Sequence, residues 1–205
     1  MYDKNWHILD IDCGDAILPG VDIRDLLYGK PEGVHAEGYA QWASFTNENF
    51  KYYFSLDWVN KIENVLGIKL DAFMIFNTDA NRDPPTAHVD YTEPHIFSAS
   101  IYGFNFVPYG QNSTMEWFKP KSGTLPESKR ALGKTNADTS YKYWEIHELE
   151  QIDSVSIKNK LTLVRTDIPH AVRTGNEPRW SVSFRSADSS IKTWEDAIDR
   201  FKHLI

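Results

Sequence analysis

Seven residues near the end of the chain, Arg179-Trp180-Ser181-Val182-Ser183-Phe184-Arg185, alternate polar and apolar without a break. A period of two belongs to an extended strand, which sends successive side chains to opposite faces. Here one face carries Trp180, Val182 and Phe184, and the other carries Arg179, Ser181, Ser183 and Arg185. The apolar face calls for a core. A polar face on the inner wall of a β-barrel calls for a partner, because unpaired polar groups inside a protein cost free energy.

The rest of the chain supplies more strands than helices. Ala72-Phe73-Met74-Ile75-Phe76 is a compact apolar run, and strand-like stretches are expected at 96–107, 143–148, 152–157 and 161–166. A helix is expected near 49–66, where Phe50, Tyr53, Phe54, Val59, Ile62, Val65 and Leu66 recur at helical spacing and Gly67 follows. A second is expected at 194–204, with Thr193 and Asp196 as a capping box and Trp194, Ala197, Ile198, Phe201 and Leu204 as its buried stripe. Many short strands with few helices predict an antiparallel sandwich or barrel, with helices covering one sheet. The expected organisation is a single domain over 1–205: a mixed, helical flank at 1–70, the β core at 71–190 and the C-terminal helix at 191–205. Residues 119–142 lose apolar periodicity and hold Lys119, Lys121, Lys129, Arg130, Lys134 and Lys142 against Glu127 and Asp138. They read as a long mobile loop, a candidate substrate lid suited to an anionic or zwitterionic ligand.

Composition removes several function classes. Twenty-two basic against 29 acidic side chains give a net charge of −7, which disfavours a sequence-independent grip on nucleic acid. No apolar run reaches the roughly 18–20 residues of a membrane span. The single cysteine, Cys13, forbids an internal disulfide, and Met-Tyr-Asp-Lys-Asn-Trp does not read as a signal peptide, so a cytoplasmic setting is expected.

His88-Val89-Asp90 places an imidazole and a carboxylate at i and i+2, on one face if the segment is a strand. About one such pair is expected by chance in a chain with seven histidines. His35-Ala36-Glu37 is another, set aside because no strand pattern surrounds it. Downstream, His170 follows the run Leu161–Thr166 and a turn at Pro169, and nine residues later comes Arg179-Trp180-Ser181. Two histidines and a carboxylate on a β scaffold make the facial triad of non-haem Fe(II) oxygenases. An arginine fork with a serine donor suits a bound dicarboxylate. His95 and His147 read as solvated or core residues.

Taken together, His88, Asp90, His170, Arg179 and Ser181 resemble the iron(II)/2-oxoglutarate-dependent oxygenases, over residues 86–185. The segment from Ile168 to Arg185 is similar to the distal half of that family's double-stranded β-helix, so the resemblance implies a jelly-roll, cupin-like core. It further implies Fe(II) held by His88, Asp90 and His170, and 2-oxoglutarate as cosubstrate with O2. The far carboxylate of the cosubstrate would rest on Arg179 and Ser181, with Arg185 the alternative anchor and Asn105 a helper. The implied activity is C–H hydroxylation of a small molecule or an amino-acid or peptide substrate, giving succinate and CO2; the acidic Asp90 argues against halogenation. Tyr91 and Trp117 are candidate substrate contacts, although residues such as Trp117 and Phe118 are more often packing than pocket. Competing readings are a nucleic-acid demethylase of the same chemistry, a non-catalytic jelly-roll metal- or carbohydrate-binding module, and a zinc hydrolase on the same ligands.

Overall fold

In a computed structural model of the protein, the described residues are 3–28, 34–37, 40–45, 50–70, 72–90, 101–131, 139–186, 188 and 190–205. The strand expected over Arg179–Arg185 is present with those bounds and is buried along its whole length. It occupies the middle of a seven-stranded antiparallel sheet. In chain order the elements are β1 (Trp6–Asp12), α1 (Ile23–Tyr28), β2 (Val34–Glu37), β3 (Ala40–Phe45), α2 (Leu56–Leu66), β4 (Ala72–Thr78), β5 (Thr86–His88), β6 (Tyr102–Tyr109) and β7 (Ser113–Pro120). They continue with β8 (Glu127–Ala131), β9 (Thr139–Glu145), β10 (Leu149–Val155), β11 (Lys160–Arg165), β12 (His170–Thr174), β13 (Arg179–Arg185) and α3 (Trp194–Phe201). The larger sheet runs β1-β11-β6-β13-β4-β3-β2 and the smaller β10-β7-β12-β5-β9-β8. The fold is mainly β with flanking helices, a jelly-roll of two facing sheets.

The faces of the larger sheet follow from the alternation. Trp180, Val182 and Phe184 of β13 join Phe73 and Ile75 of β4, Phe104 and Phe106 of β6, and Leu161 and Leu163 of β11 in one apolar cluster on the outer face. Trp58, Val59, Ile62 and Leu66 of α2 and Trp194, Ala197, Ile198 and Phe201 of α3 cover it. Each such aromatic or aliphatic side chain contributes about 1.5–3 kcal/mol when fully buried, which holds the helices on the sheet. The inner face meets the smaller sheet through Val107 and Val164 on one side and Met115, Trp117 and Val155 on the other. One edge of the sandwich is fastened by Asp153 of β10. Its carboxylate accepts from the Asn5 backbone N–H at 2.9 Å and from the Trp6 indole at 3.1 Å.

The helix termini follow local chemistry. Ser55 accepts from Trp58 N–H at 3.2 Å and so starts α2 there, while Phe50–Tyr52 form a separate 3₁₀ turn; the helix is therefore shorter than the expected 49–66. Gly67 closes it in the left-handed conformation at φ 65°. The capping box at Thr193 and Asp196 is formed, and α3 ends in a 3₁₀ turn over Lys202–Leu204.

Three expectations are corrected. The stretch 119–142 is not one long loop: β7 runs on to Pro120, and β8 pairs with β9 as a hairpin that joins the smaller sheet through β5. Residues 132–138 lie outside the described residues. The first 70 residues do not simply flank the core, because β1, β2 and β3 extend the larger sheet. His35 and Glu37 do lie in a strand, β2 at the far edge of that sheet.

Candidate metal centre

His170 opens β12, and His88 closes β5, its neighbour in the smaller sheet; the register sets these two residues directly opposite each other. Cross-strand partners project to one face, and the two imidazole centroids stand 4.7 Å apart. Asp90 lies just past the end of β5, not on it. The turn that carries it is pinned by Val89 N–H to Lys142 C=O at 3.0 Å and Asp90 N–H to Thr166 C=O at 3.1 Å. Its Oδ1 is 3.0 Å from His170 Nε2 and 3.4 Å from His88 Nε2. All three candidate ligand atoms lie within 4.8 Å of one another. Two ligands at right angles on bonds of about 2.1 Å would stand about 3 Å apart, so the set fits a metal ion.

The backbone decides which nitrogen of His170 is available. Its Nδ1 is 3.0 Å from the Ile168 carbonyl, which can only accept. Nδ1 therefore carries a proton, and Nε2 is the nitrogen turned toward Asp90 and His88. Side-chain exposure rises from 6% at His170 through 19% at Asp90 to 44% at His88, so the open side of the centre is at His88.

Asp90 is held from behind as well. Its second oxygen, Oδ2, accepts from Nη2 of the buried Arg185. Burial pushes the Asp90 carboxyl up, but the charges of His170 and Arg185 and hydrogen bonds from His170 and His88 outweigh it. The group is held well below the ordinary carboxylate range. Arg185 reaches Asp90 across Gly103 of β6, where a Cβ would stand 1.2 Å from Arg185 Nη1. The absence of a side chain at Gly103 is a steric requirement of the site. Sequence reasoning offered Arg185 only as a spare anchor. The signal lay in its sharing a face with Arg179, but its pairing with Gly103 is a matter of register.

Arg179 is buried at the other end of the same strand face, and its Nη1 donates to Ser181 Oγ at 2.7 Å. Burial pulls its guanidinium from 12.5 down to about 10, with no carboxylate among the described residues to oppose the shift. It remains a cation at neutral pH. Asn105 of β6 is buried, and its Oδ1 has no hydrogen-bond partner among the described residues. Trp117 is fully buried in the apolar cluster between the sheets, and its indole N–H donates to the Arg165 carbonyl at 2.8 Å. It is a packing residue here and presents no surface to a ligand. His147 is exposed. Tyr91 and His95 lie outside the described residues.

No protein-family model and no curated protein sequence matches the chain. Solved structures do. Vicilin from Solanum melongena is 13% identical with a TM-score of 0.38, over 79% of this chain and 32% of that one. The E. coli protein ycfD is 11% identical with a TM-score of 0.45, over 96% and 52%. The epimerase SnoN, solved in complex with Fe3+, alpha-ketoglutarate and nogalamycin RO, is 12% identical with a TM-score of 0.41, over 92% and 84%. This chain thus spans about a third of vicilin and about half of ycfD. At these identities and TM-scores the likeness carries no argument about what this chain does.

Proposed function

We propose that the protein is an Fe(II)- and 2-oxoglutarate-dependent oxygenase that hydroxylates a C–H bond of a small molecule or an amino-acid or peptide side chain. The observation that carries this reading is Arg179: a buried cation, hydrogen-bonded to Ser181, with no carboxylate partner among the described residues. Leaving a charge buried and unpaired is expensive, and a bound carboxylate removes that cost. Arg179 lies six residues, about 20 Å along an extended strand, from Arg185, the partner of Asp90. One strand face therefore joins a metal end to an anion end.

His88, Asp90 and His170 would hold Fe(II) on three neighbouring positions and leave the rest open to small ligands. With 2-oxoglutarate and O2, the metal would supply the oxidising power, and succinate and CO2 would be the coproducts. Arg179 and Ser181 bind and orient the far carboxylate. Arg185 keeps Asp90 ionised and turned so that one oxygen faces the two imidazoles. His170 Nδ1–H, fixed on Ile168, prevents that ring from rotating. The apolar layer around Trp117 keeps water out of the inner face beside the centre.

Anaerobic addition of Fe(II) and 2-oxoglutarate tests this directly. An oxygenase of this kind gives a weak visible metal-to-ligand charge-transfer band, and His170→Ala abolishes it. A carbohydrate-binding module or a zinc hydrolase gives no band, and that result would overturn the reading. Succinate formation, screened first with free amino acids and then with peptides, identifies the substrate class.

A further inference from the structure

β5 carries His88, yet it is weakly laced to the strand that carries His170. Among the described residues β5 and β12 share one register pair, His88 with His170, whereas β5 and β9 share three. β8 and β9 in turn reach the rest of the smaller sheet through β5. The sequence explains why the ladder toward β12 is so short. Pro84 and Pro85 precede β5, and neither has an N–H to donate. Pro85 instead offers its carbonyl to the Ile146 N–H at 2.9 Å, on the β9 side. Ahead of the prolines the chain is bound to β12 again, at the end of that strand remote from His170. Thr174 is 6% exposed, and its hydroxyl donates to the Asp79 carbonyl at 2.5 Å and accepts from the Arg82 N–H at 2.9 Å. The backbones add Thr174 N–H to Arg82 C=O at 3.0 Å and Asn81 N–H to Gly175 C=O at 2.6 Å. Asn81 itself is left-handed at φ 53°, a conformation that asparagine tolerates. Arg173 spans from the buried Glu116, at 2.8 Å, to Asp83.

We propose that Thr174 is a positioning residue for the metal centre, acting through the Pro84-Pro85 step to set His88 opposite His170. This rests on the reading of His88, Asp90 and His170 as metal ligands, and it adds a residue outside that triad. A latch at a distance works only if the connection is stiff. Each proline fixes its own φ and holds the residue before it extended, so a shift at Arg82 passes on to Thr86 and is not absorbed on the way. A continuous ladder would have set the register of His88 by itself. The prolines interrupt that ladder, and the Thr174 hydroxyl restores the register from the far end of β12, with Arg173 and Asp83 as a second tie on the same segment.

Cu(II), which binds most tightly among the divalent first-row ions, is the probe. Calorimetry at one equivalent reads its affinity, and nitrogen hyperfine coupling in the electron paramagnetic resonance spectrum counts the bound imidazoles. Wild-type protein shows two. Thr174→Val keeps the side-chain shape and loses both hydroxyl bonds; affinity falls about tenfold, as for other groups that orient a ligand, and the spectrum shifts toward one nitrogen. Thr174→Ser restores both readings. In a His88→Ala background Thr174→Val changes affinity by less than about twofold, because the ligand it orients is gone. Asp83→Ala loosens the same segment from an exposed position and weakens binding about threefold, the scale of an exposed ion pair. A tenfold loss that persists without His88 would overturn the assignment, since the effect would then not run through that ring. So would an unchanged affinity and nitrogen count in both Thr174→Val and Asp83→Ala. Wild-type protein with no nitrogen-coupled copper signal would instead defeat the metal-centre reading, so the two failures are distinguishable.

Discussion

The two faces of the larger sheet are built from the same strands and do opposite work. On the outer face, β13 contributes Trp180, Val182 and Phe184 to a continuous apolar cluster sealed by α2 and α3. On the inner face the same strand contributes Arg179, Ser181, Ser183 and Arg185, all buried, some of whose polar atoms lack partners among the described residues. The outer face lowers the free energy of the fold at each position. The inner face raises it where polar groups are buried, and the proposed ligand contacts lie there. Stability and the proposed function are therefore separated by the pleat of one strand, not by position along the chain.

The sharpest way to break that division is a pair of substitutions on opposite faces of β13. Phe184→Ala leaves a cavity among Phe54, Phe73, Trp58 and Phe106 and should cost about 3–5 kcal/mol in denaturant unfolding. On the inner face, Arg179→Met should leave stability unchanged or raise it by about 1 kcal/mol, since a buried cation with no carboxylate partner among the described residues gives way to an apolar chain of similar reach. The same change should weaken 2-oxoglutarate binding by about 2–4 kcal/mol. Comparable losses of stability from both variants would erase the distinction between the faces.

Gly103→Ala sharpens it further. The added methyl displaces the Arg185 guanidinium from Asp90, so metal affinity should fall about tenfold, near the worth of one charge-assisted hydrogen bond, with the far anchor at Arg179 untouched. Parallel metal and succinate titrations would show whether the two ends of the strand face are independent. The smallest effect concerns pH. Anion binding needs the charged form of Arg179, whose guanidinium is pulled down to about 10. Protection of the protein by succinate against thermal unfolding should hold steady at lower pH and decline as pH rises through that value. A decline beginning near neutrality would place the anion elsewhere.

The inner-face residues of β13 were legible in the sequence because strict alternation admits one reading, and so were the caps at Gly67 and at Thr193. His88 and His170 were legible as chemistry, but their meeting depends on β5 lying next to β12, a pairing of strands some eighty positions apart. β12 itself was missed: His170-Ala171-Val172-Arg173-Thr174 is short and follows Pro169, so it reads as a turn. The strands of the first 70 residues were hidden for a similar reason. β1 finds its partner in β11, near Val164 and Leu163, and nothing local in Trp6–Asp12 announces that. The hairpin of β8 and β9 is polar enough to pass for loop, and only its docking on β5 makes it sheet.

The fastening at Asp153 has a consequence for how copies of the protein meet. A strand with an open flank offers its bare N–H and C=O groups as a template to any passing chain. β1 and β10 are the outermost strands on one side of their respective sheets. By gathering the backbone and side chains of residues 5 and 6 onto one carboxylate, the molecule ties these two borders to each other and turns a liability for self-association into a seam.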